Sequence, residues 1–556
     1  MNIKPRDTTI KALFESSFLI IPRFQRPYSW DKENINDFWE DIFASGGDDY
    51  FLGAMVFFRT QPSSSELYVV DGQQRLLTIT LLLCALRDIL INMKSNELAL
   101  GLQQVIERKD LDNSNRFVLF SENPYPFLQN HVQAFGKGKL NVKRGPEEEN
   151  IAAAYADLSS RAQAAVDAAS TPEEKLKTIR DIRDSALSNR IISIELDNEN
   201  DAYLIFETIN TRGKDLQTAD LVKNHLTRLM RPTNKNNDHV RESWQQIQST
   251  IGESSAELDI NAFLVHHWIS EHEYLPEKKL FKSLRITITK KNCQEYLDNI
   301  VEESSYYRSV FEPGYHKFTK DEIDLRESLA ALSIFRVRQL APFALALMTS
   351  YFKKKLSQKN TLSMLQRLEN FHFKFTAVTS QRGAGGVALM YSKAARDLRS
   401  AKDENSKRDV CASLYGKIRD LQPDIAEFSL GFNDILFSTA YTRQRQLVRY
   451  ILRKLHMFGG NKPFSDFEQF NIEHILPQSS GAPEEVIGSI GNMILMPKKS
   501  NENIANKPFA QKKAAILKEG GYIDPILKAS KTWNANKIHE RLEHLARTAY
   551  KEVWKL

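Results

Sequence analysis

The sequence predicts a mostly helical α+β chain of several domains, and three observations carry that reading. Its 556 residues exceed what one hydrophobic core supports, since domains run to roughly 150 residues each. Short apolar runs of strand type stand at 51–58, 66–70 and 190–196, and again after 470. Between about 235 and 457 nearly every segment instead repeats its apolar residues at helical spacing. A composition of 42% hydrophobic, 26% charged and 10% aromatic residues is that of a globular protein, not a disordered one.

From the start, Asp31 is placed to cap "KENINDFWEDIF", whose Ile35, Phe38, Trp39 and Ile42 share one helical face. "FLGAMVFF" and "ELYVV" read as two strands joined by "RTQPSSS". The helix from Gln73 to about Ile91 is too densely apolar to be half exposed, so it belongs inside the domain. Residues 133–150 are rich in glycine and charge and mark a loop or insertion boundary, followed by alanine-rich helices to about 188. "RIISIEL" returns as a strand, and the segment after it reads helix–loop–helix, with Gly213 as a stop and Thr218 as an N-cap. This gives a first domain over 1–232 with a helical insertion at about 95–188, and a helical domain over 233–457. Beyond the break "FGGNKPFSD", residues 458–556 form a last domain in strand–strand–helix order.

Bulk properties exclude several classes. A net charge of +6 favours a polyanionic partner only mildly. Cys84, Cys293 and Cys411 are far apart and odd in number, which excludes a disulfide framework and a zinc ribbon and suits a reducing cytoplasm. The longest apolar stretch, "LLTITLLLCAL", is too short for a bilayer, so no membrane role is expected. No GxxxxGK[ST] occurs, which excludes a P-loop NTPase.

The chemistry concentrates at "NIEHILPQSS". Asn492 lies 18 residues beyond His474, and Asn501 a further 9. Two strands and a helix can bring Glu473, His474 and Asn501 to one point. A carboxylate and an amide oxygen suit Mg²⁺, which takes oxygen ligands and leaves room for a phosphate. A neutral imidazole is the natural base for activating water. Lys498, Lys499, Lys507, Lys512 and Lys513 surround the site in sequence and suit a phosphate backbone. The bland alternative makes Glu473 and His474 a strand-end ion pair and the asparagines turn residues.

At the other end, "VVDGQQRLLTI" sets Asp71 and Gly72 at a strand–helix junction with Gln73, Gln74 and Arg75 in the first helical turn, a form that binds anions. "IPRFQRPYSW" adds Gln25 and Arg26, with Tyr28 and Trp30 as stacking surfaces.

The arrangement "EHILP…GNMILMPKKSN…NKPF…KK" resembles an HNH, or ββα-metal, nuclease, and particularly the nuclease half of GmrSD-type modification-dependent restriction enzymes. The amino-terminal "DGQQR" segment is similar to that family's first domain, of ParB and sulfiredoxin-like fold. The resemblance implies a type IV restriction endonuclease acting on modified phage DNA. Glu473 and Asn501 would hold Mg²⁺ or Mn²⁺, His474 would be the base, and Asn492 the middle asparagine of the motif. It also implies that the Asp71 loop, with Gln25 and Arg26, binds GTP or ATP, with or without hydrolysis, and that the enzyme works as a homodimer or with a partner defence subunit. Asn210, Arg212, Lys214, Asp220 and Lys223 either complete that pocket or cap and pack two helices. Two alternatives stand beside this: a nucleotide-responsive DNA-binding regulator with an inactive nuclease half, and an RNA-directed HNH nuclease.

"HERLEH" (539–544) lacks the spacing of a zinc helix, "HHW" (266–268) reads as core, and "QRGAGG" (381–386) as a turn between helices.

Overall fold

The dense leucine helix that opens at Gln73 is the centre around which the amino-terminal part of the chain folds. The computed structural model describes residues 3–22, 25, 27–44, 50–61, 64–122, 127–136, 144–196, 217–230, 239–380, 386–460, 469–504 and 506–556. Packing divides the chain into two units, residues 1–242 with 284–294, and residues 243–283 with 295–556.

The first unit holds strands β1 (Ile3–Thr9), β2 (Phe18–Ile21), β3 (Phe51–Phe58), β4 (Glu66–Asp71), β5 (Glu107–Lys109), β6 (Asn115–Phe117), β7 (Leu119–Ser121) and β8 (Arg190–Leu196). Six of them form a mixed sheet in the order β1-β8-β3-β4-β2-β7, and β5 pairs with β6 separately. Its helices are α1 (Ile10–Ser16), α2 (Lys32–Ala44), α3 (Gln73–Asn92), α4 (Asn96–Ile106), α5 (Pro146–Asp167), α6 (Pro172–Ser188) and α7 (Thr218–Leu229). The two expected strands β3 and β4 pair antiparallel. Asp31 Oδ1 accepts from the Glu33 and Asn34 N–H groups at the start of α2, as its position predicts.

Along α3, Leu76, Leu77, Ile79, Leu81, Leu82, Leu83 and Leu86 are each at most 1% exposed, because the helix is covered all round. Residues expected to form an insertion are woven into this core. Segment 95–188 supplies β7 to the main sheet, while Ile151 and Leu158 of α5 and Ile179 of α6 pack in the same cluster as α3. Helix α7 begins at Thr218 with Gln217 in the capping position, one residue earlier than expected. Gly213, Asn210, Arg212 and Lys214 lie outside the described residues.

In the second unit, helices dominate, and β9 (Phe470–His474) pairs antiparallel with β10 (Met493–Pro497). The pleat of β10 serves two cores. Met493 and Leu495 join the large helical cluster with Phe343, Leu368, Phe373 and Trp554. Ile494 and Met496 face a smaller cluster with Ile504, Ile516, Leu527 and Trp533. The helix Lys498–Ile504 follows β10 and packs on both strands. The chain is thus a mostly helical α+β protein, with strand–strand–helix order at the expected place. Residues 461–468 of the expected linker and 381–385 of "QRGAGG" lie outside the described residues. His267 is fully buried, as a core reading of "HHW" requires, and His539 is exposed, with Nε2 3.3 Å from Glu543 Oε1. Among the described residues no helix is long and apolar enough to cross a membrane.

Candidate functional site

Adjacent residues of a strand point to opposite faces, which explains how Glu473 and His474 can be neighbours with different tasks. Glu473 pairs across the sheet with Ile494, on the side of the small core, and His474 with Met493, on the side of the large one. Both are buried, at 5% and 6% exposure.

The imidazole of His474 is held from two directions. Nε2 lies 2.9 Å from the Phe437 carbonyl oxygen, which only accepts, so Nε2 carries the proton. Gln478 Oε1 accepts from the Thr439 backbone N–H at 3.0 Å, which turns its Nε2 toward His474 Nδ1 at 3.4 Å as a donor. Nδ1 is therefore the nitrogen with the lone pair. Burial pushes the His474 pKa below its ordinary 6.5, against the opposing pull of the Phe437 carbonyl, so the ring is neutral near pH 7.

Glu473 meets a cation that sequence reasoning assigned elsewhere. Lys512 Nζ donates to Glu473 Oε1 at 2.5 Å and to the His474 carbonyl at 2.9 Å. Lys512 was expected among the DNA-gripping lysines; instead its side chain is fully buried. It shares the inward face of the helix Phe509–Glu519 with Ile516, four residues on. Burial raises the Glu473 pKa, and Lys512 acts to lower it. The strand-end pairing of Glu473 with its neighbouring histidine is replaced by this longer-range pair.

Asn492 organises the turn. Its Oδ1 accepts from the Leu476 N–H at 2.7 Å and from Trp533 Nε1 at 3.1 Å, while Nδ2 donates to the Leu476 and Ile487 carbonyls at 3.0 and 2.9 Å. The amide is fully committed, so Asn492 positions the His474 loop, and its side chain is not free to touch a substrate. Arg541 reinforces the same corner. It donates to the Gly491 and Met493 carbonyls at 2.9 and 2.8 Å and pairs with buried Asp524 at 2.6 Å.

Asn501, on the helix against both strands, is half-buried, and its Nδ2 is buried with no hydrogen-bond partner. Rotating the amide by half a turn would present its oxygen there instead. A carboxylate and an amide oxygen, the donors of Glu473 and Asn501, are the hard oxygen type that Mg²⁺ and Mn²⁺ take. Lys498, Lys499 and Lys507 are exposed. Lys513 is engaged at the carbonyls of Lys528 and Ser530, at 2.8 and 2.5 Å.

In the amino-terminal unit, the Asp71–Arg75 turn is largely an internal scaffold. Gly72 takes a left-handed φ of 99° at the start of α3, with Met55 too close for any Cβ. Gln25 Nε2 donates to the Val69 and Val70 carbonyls at 2.9 and 2.8 Å. Gln74 accepts from the Ser29 N–H at 2.9 Å and donates to the Pro27 carbonyl at 3.2 Å. Arg75 donates to the Leu52 and Ala54 carbonyls and lies 3.4 Å from Asp71. Gln73 is buried, and Asp71 half-buried. Tyr28, expected as a stacking surface, is instead fully buried with its hydroxyl 2.8 Å from Thr78 Oγ1, and its pKa is pushed up to about 12 by burial. Trp30 packs against Phe38. Arg26 lies outside the described residues.

Sequence reasoning missed Phe437, Lys512 as a partner of Glu473, Trp533 and Glu147. Glu147 accepts from the Tyr28 N–H at 3.1 Å beside a small cleft lined by Leu77, Gln129 and Ile151. Burial raises its pKa to about 7. Only Gln478, close behind the histidine in "EHILPQ", carried a local signal.

Residues 10–227 match the family described as GmrSD restriction endonuclease, N-terminal domain. Residues 422–548 match GmrSD restriction endonucleases, C-terminal domain. Among curated proteins none matches this chain. With both terminal domains of one family present in that order, the chain belongs to the GmrSD-like type IV restriction endonucleases.

Proposed function

We propose that Glu473, His474 and Asn501 form the phosphodiesterase centre of an HNH-type nuclease that cuts or nicks modified phage DNA. The observation that carries this reading is the tautomer of His474. With the proton held on Nε2 by the Phe437 carbonyl, Nδ1 is the base, and a buried neutral imidazole is ready to accept a proton from water at working pH. As water takes the place of the 3.4 Å contact from Gln478 Nε2 and attacks the phosphorus, Nδ1 takes its proton, the P–O bond to the departing oxygen breaks, and the Phe437 carbonyl stabilises the imidazolium that forms. Glu473 and Asn501 would hold Mg²⁺ or Mn²⁺ and so place the scissile phosphate within reach of that water. When bound, such an ion supplies charge stabilisation at the phosphate and at the departing oxygen. Exposed Lys498, Lys499 and Lys507 would follow the nucleic-acid backbone.

In the same reading, GTP or ATP binds at the opening of α3. The support is local: the first backbone N–H groups of a 20-residue helix favour phosphate. Gln25, Gln74 and Arg75, already tied to backbone carbonyls, would then shape the turn, leaving the phosphate contacts to the main chain.

The test is digestion of modified phage DNA, plasmid DNA and RNA with Mg²⁺, with and without GTP or ATP, by wild type, His474→Ala and Asp71→Ala. Cleavage of modified DNA that is lost in His474→Ala is the expected result. Undiminished cutting by His474→Ala would remove the catalytic assignment, and preference for RNA would favour the RNA-directed alternative. Nucleotide response retained in Asp71→Ala would remove only the sensor.

A further inference from the structure

A carboxylate buried at the end of a strand needs a countercharge, and this chain supplies its own. The Lys512 side chain is fully buried, while that of Glu473 keeps 7% of its exposure. The ammonium reaches two acceptors, the Glu473 carboxylate at 2.5 Å and the carbonyl of His474 at 2.9 Å, and both belong to the last two residues of β9. No surface requirement explains a lysine there: Lys498, Lys499 and Lys507 already supply exposed positive charge nearby in sequence. An isolated buried ammonium is costly, so its place is explained by the carboxylate it neutralises.

We propose that Lys512 is the resident counter-cation of the metal site, holding Glu473 when no divalent ion is bound and yielding it when one binds. This rests on the reading of Glu473 as a metal ligand. An ammonium and a divalent ion compete for one carboxylate, because like charges repel across the short distance that sharing it would impose. Lys512 thus holds the ligand in place before metal arrives, and sets how tightly metal is held. Exchange also frees an ammonium beside the His474 main chain, where a phosphodiester docks in the proposed reaction. Metal loading would therefore precede and favour nucleic-acid binding.

The experiment uses the full-length protein without nucleic acid. Mn²⁺ binding is measured by calorimetry for wild type, Lys512→Met and Lys512→Arg. Removing the competing charge tightens binding by about tenfold in Lys512→Met, and Lys512→Arg stays near wild type. In parallel, wild type is treated with an amine-acylating reagent with and without Mn²⁺, and modified lysines are read by mass spectrometry. Lys512 is protected without metal and becomes reactive with it, while exposed Lys498 does not change. Equal or weaker Mn²⁺ affinity in folded Lys512→Met overturns the proposal, as does Lys512 labelling that ignores Mn²⁺. If Lys512→Met fails to fold, the labelling of wild type decides alone. Absence of Mn²⁺ binding in wild type overturns the metal-site reading itself, a result distinct from equal binding by wild type and variant.

Discussion

His474 Nε2 stands 2.9 Å from the carbonyl oxygen of Phe437, a residue 37 positions earlier in the chain. That one bond sets which ring nitrogen keeps its lone pair. It is made by a backbone group, so no substitution of the Phe437 side chain removes it directly. What orients Phe437 is its own N–H, which donates to the Gly488 carbonyl at 2.8 Å.

The pH dependence of cleavage follows from the ring's burial. A general base works deprotonated, and the His474 pKa is lowered from 6.5, chiefly by burial. Activity therefore holds as pH falls through 6.5 and declines only below it. His474→Ala loses about 10²- to 10⁴-fold in rate at neutral pH and above. An acid limb above pH 6.5 in the wild-type rate profile would contradict the assignment.

Asn492 behaves as a structural residue. Asn492→Ala leaves the Leu476 and Ile487 carbonyls and the indole N–H of Trp533 without their partner. The expected loss is about 2 to 4 kcal/mol in thermal or urea unfolding of the second unit. Asn492→Asp is at least as damaging, because it removes two donors and buries a charge. A variant with native stability and no cleavage would make Asn492 a direct participant instead.

Exposed Lys498, Lys499 and Lys507 are the lysines expected to carry the salt-dependent grip on a nucleic-acid backbone in the metal-free protein. Replacing Lys498, Lys499 and Lys507 together with Gln reduces the salt dependence of DNA binding, by about one unit of slope for each lost phosphate contact. Lys513→Gln leaves the slope alone and lowers stability, since its ammonium holds the carbonyls that close the helix Pro525–Ala529. Binding titrations across a salt series separate the two.

Gly72→Ala strains the turn that opens α3. The backbone φ of 99° disfavours any side chain, and a Cβ would lie 2.7 Å from Met55 Cγ. The amino-terminal unit loses about 1 to 3 kcal/mol, read as a lower urea midpoint. An unchanged midpoint would mean that the turn relaxes freely.

Glu147 gives the amino-terminal unit its own pH sensitivity. Its folded pKa of about 7 lies above the ordinary 4.5, with burial as the main cause. The stability it contributes is complete below pH 4.5 and is lost as pH rises through 7, by about 3 kcal/mol. Glu147→Gln, which keeps an acceptor for the Tyr28 N–H, flattens that dependence in urea unfolding at pH 5 and pH 8. Equal slopes for wild type and variant would remove Glu147 from the account.

The sequence by itself determined what local rules can reach. Alternation and helical spacing announced β3, β4, α3 and the order of strand, strand and helix at the carboxy-terminal end, and the residue types at 473, 474, 492 and 501 suggested the chemistry that is proposed. Only the tertiary structure decided the partners. Phe437, Lys512 and Trp533 come to the site from 37 residues before His474, 39 after Glu473 and 41 after Asn492. The segment 95–188 looked like an inserted lobe because its own pattern is helical, yet it contributes β7 and packs α5 on α3. Lys512 and Tyr28 were misplaced for a related reason. A polar group in a sequence reads as surface until a distant partner makes its burial affordable, and that partner is visible only once the chain has closed on itself.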